Sequence, residues 1–288
     1  MAIHKMADLK RRFFVSSVAG ALVAFLILYS QHAFVRILLL LVVLLIACIG
    51  VWEYAQLAIA KGVRPAVRLM LFCSPIVVIA FYISLYFATL PQLPIFVLVL
   101  SLLAFFIYHF QAPQNSIINI AVEFFGVTYV SVPLSLMLGV LYPIAHQGIP
   151  QEGRCWLIYL IVVTKITDVG AYFVGRLWGK HMLTQLSPKK TVEGALSGFL
   201  CAILASVLIH FLGGKFVGEG FHLSLTEAIW LGALIGSLGQ IGDLAESLLK
   251  RDAQVKDSNQ LPGLGGVLDM VDSLLITTPV VYFFIHMH

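Results

Sequence analysis

Apolar runs of about 20 residues follow one another along the whole chain, and about 20 residues is the length of helix that crosses a bilayer. They lie near 13–30, 34–58, 69–89, 93–110, 117–142, 155–178, 194–213, 225–249 and 267–285. No soluble domain can bury so much apolar surface; the chain is 60% hydrophobic and 11% charged, against roughly 25% charged in a soluble domain. The same composition excludes disorder. In lipid the backbone must satisfy its own hydrogen bonds, which leaves helices or a closed barrel. The runs are too long for barrel strands, so the expected fold is all-α, a polytopic helical membrane protein with about nine transmembrane helices. The second and fifth runs exceed a bilayer and are expected to tilt or protrude.

Charge placement tests this count independently. With the N-terminus inside, the inside segments hold Lys5, Lys10, Arg11, Arg12, Lys61, Arg64, Arg68, Arg176, Lys180, Lys189, Lys190, Lys250, Arg251 and Lys256, fourteen of the 18 lysines and arginines. Cytoplasmic segments carry this excess, so the N-terminus is expected inside and the C-terminus outside. The uncharged turn at 110–116 says nothing either way. Lys5, Lys10, Arg11 and Arg12 before the first run resemble the start of a signal peptide, but the run is long and no small-residue cleavage site follows it; it is expected to stay as an uncleaved helix. Cys48, Cys73, Cys155 and Cys201 lie in or beside apolar runs without CxxC spacing and are expected to be packing residues.

Acidic residues are unevenly spread. Ten of the 14 fall within 168–288, dividing the chain into an N-terminal transmembrane scaffold, 1–150, with about five helices, and a chemistry-bearing C-terminal region, 151–288, with about four. In the scaffold, Glu53 and Glu123 are expected to make helix-end or interhelical hydrogen bonds. Lys165 and Asp168 stand at i, i+3 in the sixth run, where they can pair; they either neutralise each other or take part in a site, since charges at membrane depth commonly mark one.

Two carboxylate pairs repeat that spacing: Asp243 with Glu246 near the end of the eighth run, and Asp269 with Asp272 at the start of the ninth. Each pair shares a helix face, and the 250–266 connection allows both to meet at one membrane surface. Four carboxylates repel one another, so a divalent cation is the natural neutraliser. Mg2+ favours a few carboxylates plus phosphate oxygens.

Phosphate-binding material lies on the same side. Ser187, Pro188, Lys189, Lys190 and Thr191 form a short basic and hydroxyl-bearing loop after Gly179 and Lys180, and Gly263, Gly265 and Gly266 lead into the ninth helix, where small residues free backbone N–H groups to approach an anion. A Walker loop is rejected, because Gly175 to Lys180 is one residue short and His181 stands where a hydroxyl is needed. Gly232 and Gly236 read as helix packing. The histidines lack ligand spacing, and no GxSxG elbow supports a covalent hydrolase.

Three blocks together resemble the phosphatidate cytidylyltransferases, the CDP-diacylglycerol synthases. One runs from Asp168 through Ala171, Tyr172, Gly175, Gly179 and Lys180 to Ser187–Gly194; a second is Gly242–Ser247; the third joins Ser247–Asp252, Lys256 and Asp257 to Pro262–Asp272. The match covers roughly 165–275 in detail. The chain departs where the family reads Pro-Gly-His-Gly-Gly, having Leu264, and where the family reads Asp-Arg, having Met270 after Asp269; the loop between Asp257 and Pro262 is also one residue shorter.

The resemblance implies Mg2+ dependence, with room for a second cation, a homodimer, and a reaction of CTP with phosphatidate to give CDP-diacylglycerol and diphosphate in a bacterial inner (plasma) membrane. Nucleic acid is not expected among the partners. Under it Asp243 and Asp269 hold the metal, Asp272 and Glu246 being further ligands or their support. Lys190, Lys180, Ser187 and Thr191 would hold CTP phosphates, and Lys250 and Arg251 would attract either anionic substrate. Two rivals are a CTP-dependent polyprenol or lipid-alcohol kinase, which would release CDP, and an ion-coupled transporter, which the unequal charge of the two halves disfavours.

Overall fold

The computed structural model describes residues 20–87, 89–111, 113–143, 152–216, 221–255 and 266–287. Helix α1 is described over 20–28. It is followed by α2 (Ala33–Ala60), α3 (Val67–Tyr86), α4 (Leu93–His109), α5 (Ser116–Leu141), α6 (Gly153–Trp178), α7 (Val192–Phe216), α8 (Leu225–Asp252) and α9 (Val267–Met287). Seven of these are long and apolar enough to cross a membrane; α4, with 17 residues, is shorter. From α2 onward each helix lies on one apolar run, and among the described residues the one extended pairing is an isolated bridge between Met182 and Thr191.

The helix ends have local causes. At 28 residues α2 spans about 42 Å, more than the roughly 30 Å apolar core of a bilayer, in line with the expected excess length. The uncharged turn after α4 closes with Asn115 in the left-handed region at φ 59°, which separates α4 from α5. Ser224 caps α8 in a reciprocal capping box with Glu227. At the other end Lys250 and Arg251 stand in the last turn, where cations suit the helix dipole, and α8 runs three residues past its apolar run.

Packing follows two buried clusters that share α5 and α9. One joins Trp156, Tyr159 and Leu160 of α6 to Leu231 and Ile235 of α8 and Phe284 of α9. The other joins Val51 and Tyr54 of α2, Met70 of α3 and Val127 of α5 to Leu268 and Leu275 of α9. Close approach of α8 to α7 rests on the paired glycines: a Cβ on Gly232 or Gly236 would sit 2.7 Å from Ser206 Cβ or Ala202 Cβ. These two glycines are packing residues, as their spacing suggested. Cys73 is buried in α3, and Cys48, Cys155 and Cys201 are half-buried in helices.

The two scaffold glutamates do what their position implied. Glu123 accepts from Ala66 N–H at the start of α3 (2.7 Å) and lies 2.8 Å from His109 Nε2 of α4. Glu53, 2% exposed, accepts from Val267 N–H (2.9 Å) and Leu268 N–H (2.7 Å). It thereby supplies an anion to the N-terminus of α9, the helix that carries two of the candidate site residues.

Candidate active site

The ends of α6 and α8, the starts of α7 and α9, and the 179–191 loop meet at one end of the bundle. Gly242 lets α8 and α9 come together there, since a Cβ on it would lie 2.7 Å from the Asp272 carbonyl oxygen. This brings the two i, i+3 carboxylate pairs close. One oxygen from each of Glu246, Asp269 and Asp272 lies within 4.8 Å of the others.

Lys250 reaches into this trio. Its Nζ donates to Asp269 Oδ1 and pairs with Glu246 Oε2, both at 2.7 Å. Asp272 Oδ1 accepts from its neighbour Ser273, from N–H at 2.5 Å and from the hydroxyl at 3.2 Å. If all three carboxylates are ionised, one ammonium among them leaves a formal charge of −2. Glu246 Oε1 is buried and has no hydrogen-bond partner among the described residues. An orphaned buried carboxylate oxygen beside two more carboxylates is a donor set suited to a hard divalent cation.

Asp243 stands one helical turn before Glu246 and takes a different partner. It forms an ion pair with Lys190 of the loop. One turn from Glu246 on α8, it also stands in the wall of a cleft of about 650 Å³. That cleft is lined by Asp168, Ser187, Lys189, Lys190, Thr191 and Asp243, among others. The Lys165–Asp168 pair forms at 3.4 Å, and Lys165 Nζ also donates to the Met270 carbonyl in the first turn of α9 (3.3 Å). The pair therefore forms, and its Asp168 stands in the wall of the cleft.

The loop owes its shape to backbone and side-chain ties at both ends. Leu183 N–H donates to Lys190 O (2.8 Å) and Val192 N–H to His181 O (2.9 Å). Glu193, at the start of α7, accepts from the N–H groups of Lys180 (3.1 Å) and His181 (3.3 Å), and its other oxygen lies 2.6 Å from His181 Nδ1. Thr191 Oγ1 accepts from Gly194 N–H and so caps α7. On the far side Arg251 Nε donates to the Leu186 carbonyl (3.1 Å), tying the loop to α8.

Of the residues singled out from the sequence, Ser187, Lys190, Thr191 and Asp243 line the cleft, while Glu246, Asp269, Asp272 and Lys250 form the trio and its counter-ion. Arg251 holds the loop rather than facing the cleft. Lys180 is exposed, and its backbone N–H is bound by Glu193. Gly263 and Gly265, like Leu264, lie outside the described residues. Gly266 is buried at the start of α9, where the next two N–H groups are already taken by Glu53. Lys189, named from the sequence as part of the basic loop, also lines the cleft, as does Tyr172, named there without a role; Gln240, which lines it too, was not singled out, and Glu193 was not read as the clamp of the loop. Tyr172 and Glu193 stood within the first of the three blocks, but their roles, like the position of Gln240, depend on how the helices face one another, which the motif does not state.

A sequence model of the cytidylyltransferase family matches residues 10–288. Among curated proteins, a phosphatidate cytidylyltransferase of Synechocystis is 33% identical, covering 94% of each chain. One of Chlamydia trachomatis is 42% identical over 159 residues, 55% of this chain and 52% of the relative. One of Haemophilus influenzae is 41% identical over 138 residues, 47% of each. The chain thus spans about half the length of several relatives it matches and nearly all of the cyanobacterial one.

Proposed function

Since the chain belongs to the cytidylyltransferase family, we propose that it joins CTP to phosphatidate, giving CDP-diacylglycerol and diphosphate. The observation that carries this reading is the adjacency of two different surfaces across Asp243. On one side is a cleft with cations and hydroxyls suited to a triphosphate; on the other is a carboxylate trio with an orphaned buried oxygen, a donor set suited to a divalent cation.

In this reading Lys190, Lys189, Ser187 and Thr191 bind the CTP phosphates, and Lys190 exchanges its pairing with Asp243 for a phosphate oxygen. A phosphate oxygen of phosphatidate attacks the α-phosphorus of CTP as the bond to the diphosphate breaks, with diphosphate as leaving group. A phosphate monoester is largely ionised at neutral pH, so no strong base is needed, and catalysis reduces to positioning and charge neutralisation. Mg2+, held by Glu246, Asp269 and Asp272 with Asp243 beside them, would supply positive charge for the phosphate oxygens. Glu193 and Arg251 keep the loop in place, and Lys165 steadies the first turn of α9.

The site end of the bundle would face the cytoplasm, so that CTP arrives from water while the diacyl tails stay in lipid. A bacterial inner membrane and a homodimer complete the proposal. The relatives' names and the match over 10–288 support the reaction and a bacterial setting. The test is incubation of the purified protein with labelled CTP, phosphatidate and Mg2+. CDP-diacylglycerol and diphosphate should form together; release of CDP with phosphorylation of a lipid alcohol instead would overturn it in favour of a kinase.

A further inference from the structure

A second and larger cavity, of about 1180 Å³, opens at the same end of the bundle on the opposite side of the α8 terminus. It lies between the α2–α3 connection, the α4–α5 turn and the last turn of α8, and none of its lining residues belongs to the cleft or the carboxylate trio. Its chemistry is that of an anion site. Lys61 and Arg64 stand in its wall. Lys61 is bound to Asp252 of α8 at 2.7 Å, whereas Arg64 is exposed and has no ion-pair partner among the described residues. Helix α5 begins at the cavity with no side-chain cap from Asn115 and no acidic residue in its first turn, so the positive end of its dipole faces the cavity. One turn inward, Asn119 lines the cavity, is only 7% exposed, and its amide has no hydrogen-bond partner among the described residues. That amide is left available to a polar group in the cavity.

The flank of this cavity is apolar. Tyr108 and Ile118 line it and are more than half exposed, and Phe110 and Ile117 beside them are among the most exposed apolar side chains of the protein. In a membrane-spanning bundle that flank meets acyl chains, with the cations at the level of the headgroups. We infer that the cavity is an accessory binding site for the phosphate headgroup of an anionic phospholipid, bound by Arg64, Asn119 and the start of α5, with its acyl chains along Phe110, Ile117 and Ile118. The Lys61–Asp252 pair connects this site to α8, two residues beyond Lys250. The inference needs only a membrane-spanning chain and is independent of the reaction proposed above.

The test is thermal unfolding of the full-length protein in a neutral detergent, titrated separately with dioctanoyl phosphatidylglycerol, dioctanoyl phosphatidylcholine, CTP and inorganic phosphate. Phosphatidylglycerol should stabilise the wild type, and Arg64→Gln should weaken its half-saturation about tenfold. Asn119→Ala should weaken it in the same direction. Arg68→Gln, an exposed cation on the same segment that does not line the cavity, should leave it unchanged. Arg64→Gln changes an exposed side chain and leaves the fold intact, so it stands as a test even where Asn119→Ala folds poorly. Equal half-saturation in the wild type and Arg64→Gln would overturn the inference. So would an Arg64-dependent effect of CTP or inorganic phosphate at concentrations like those of the lipid, which would make this a site for a soluble phosphate, or an equal Arg64-dependent effect of the phosphatidylcholine.

Discussion

Glu53→Gln should damage a site that contains no part of α2. The Glu53 carboxylate accepts two hydrogen bonds, at 2.9 and 2.7 Å, from the first N–H groups of α9, and it is almost wholly buried. Bonds to a charged group contribute about 1.5–3 kcal/mol each. Glutamine keeps one acceptor without its charge and turns an NH2 toward the other N–H, so the expected loss is about 3 kcal/mol, which corresponds to a fall of roughly 5–10 °C in the unfolding midpoint. The start of α9 also carries Asp269 and Asp272, so its loosening should raise the Mg2+ concentration for half-maximal turnover about tenfold. Scanning fluorimetry and an Mg2+ titration of the transferase rate read the two effects. Glu123→Gln is the control: it removes a buried cap at the start of α3, and should lower the midpoint while leaving the Mg2+ dependence alone. If Glu53→Gln keeps wild-type values of both, or if Glu123→Gln moves the Mg2+ dependence equally, the coupling of α2 to the site through α9 is refuted.

Asp243→Asn and Asp269→Asn should each abolish nearly all turnover while leaving inserted, folded protein, because the amide keeps the volume and loses the charge; near wild-type rates in both, with Mg2+ still required, would exclude the metal assignment. Lys190→Met should raise the KM for CTP at least tenfold and leave the Mg2+ dependence close to wild type, as measured by initial rates; an unchanged KM would remove Lys190 from the triphosphate site. Met270 is exposed and only its carbonyl contacts Lys165, so Met270→Arg, alone or with Leu264→His, should change substrate KM more than Mg2+ dependence; a wild type with no detectable synthesis, rescued only by these changes, would refute that. Reporter fusions after residue 60 and after His288 should read inside and outside respectively, and a cytoplasmic C-terminus would refute the expected orientation.

Apolar length and charge spacing were enough to specify the helices. A run of about 20 apolar residues has one low-energy answer in lipid, and the ends of α2 to α9 differ from the runs by three residues or fewer where no cap or terminal charge was read in advance. The i, i+3 spacing likewise determined which carboxylates share a face, because helical geometry is local. Which oxygens then meet was decided by the crossing of α8 and α9 at Gly242: it gathers Glu246, Asp269 and Asp272, with Lys250 bound to the first two, and leaves Asp243 facing Lys190. The same holds for Glu53, 214 residues from the backbone it caps, and for Glu193, whose clamp on the 179–191 loop depends on how the chain folds back onto α7. Spacing along one helix is set by covalent geometry and can be read from sequence, whereas pairing between helices is set by how closely their side chains allow them to pack, and no local pattern encodes that.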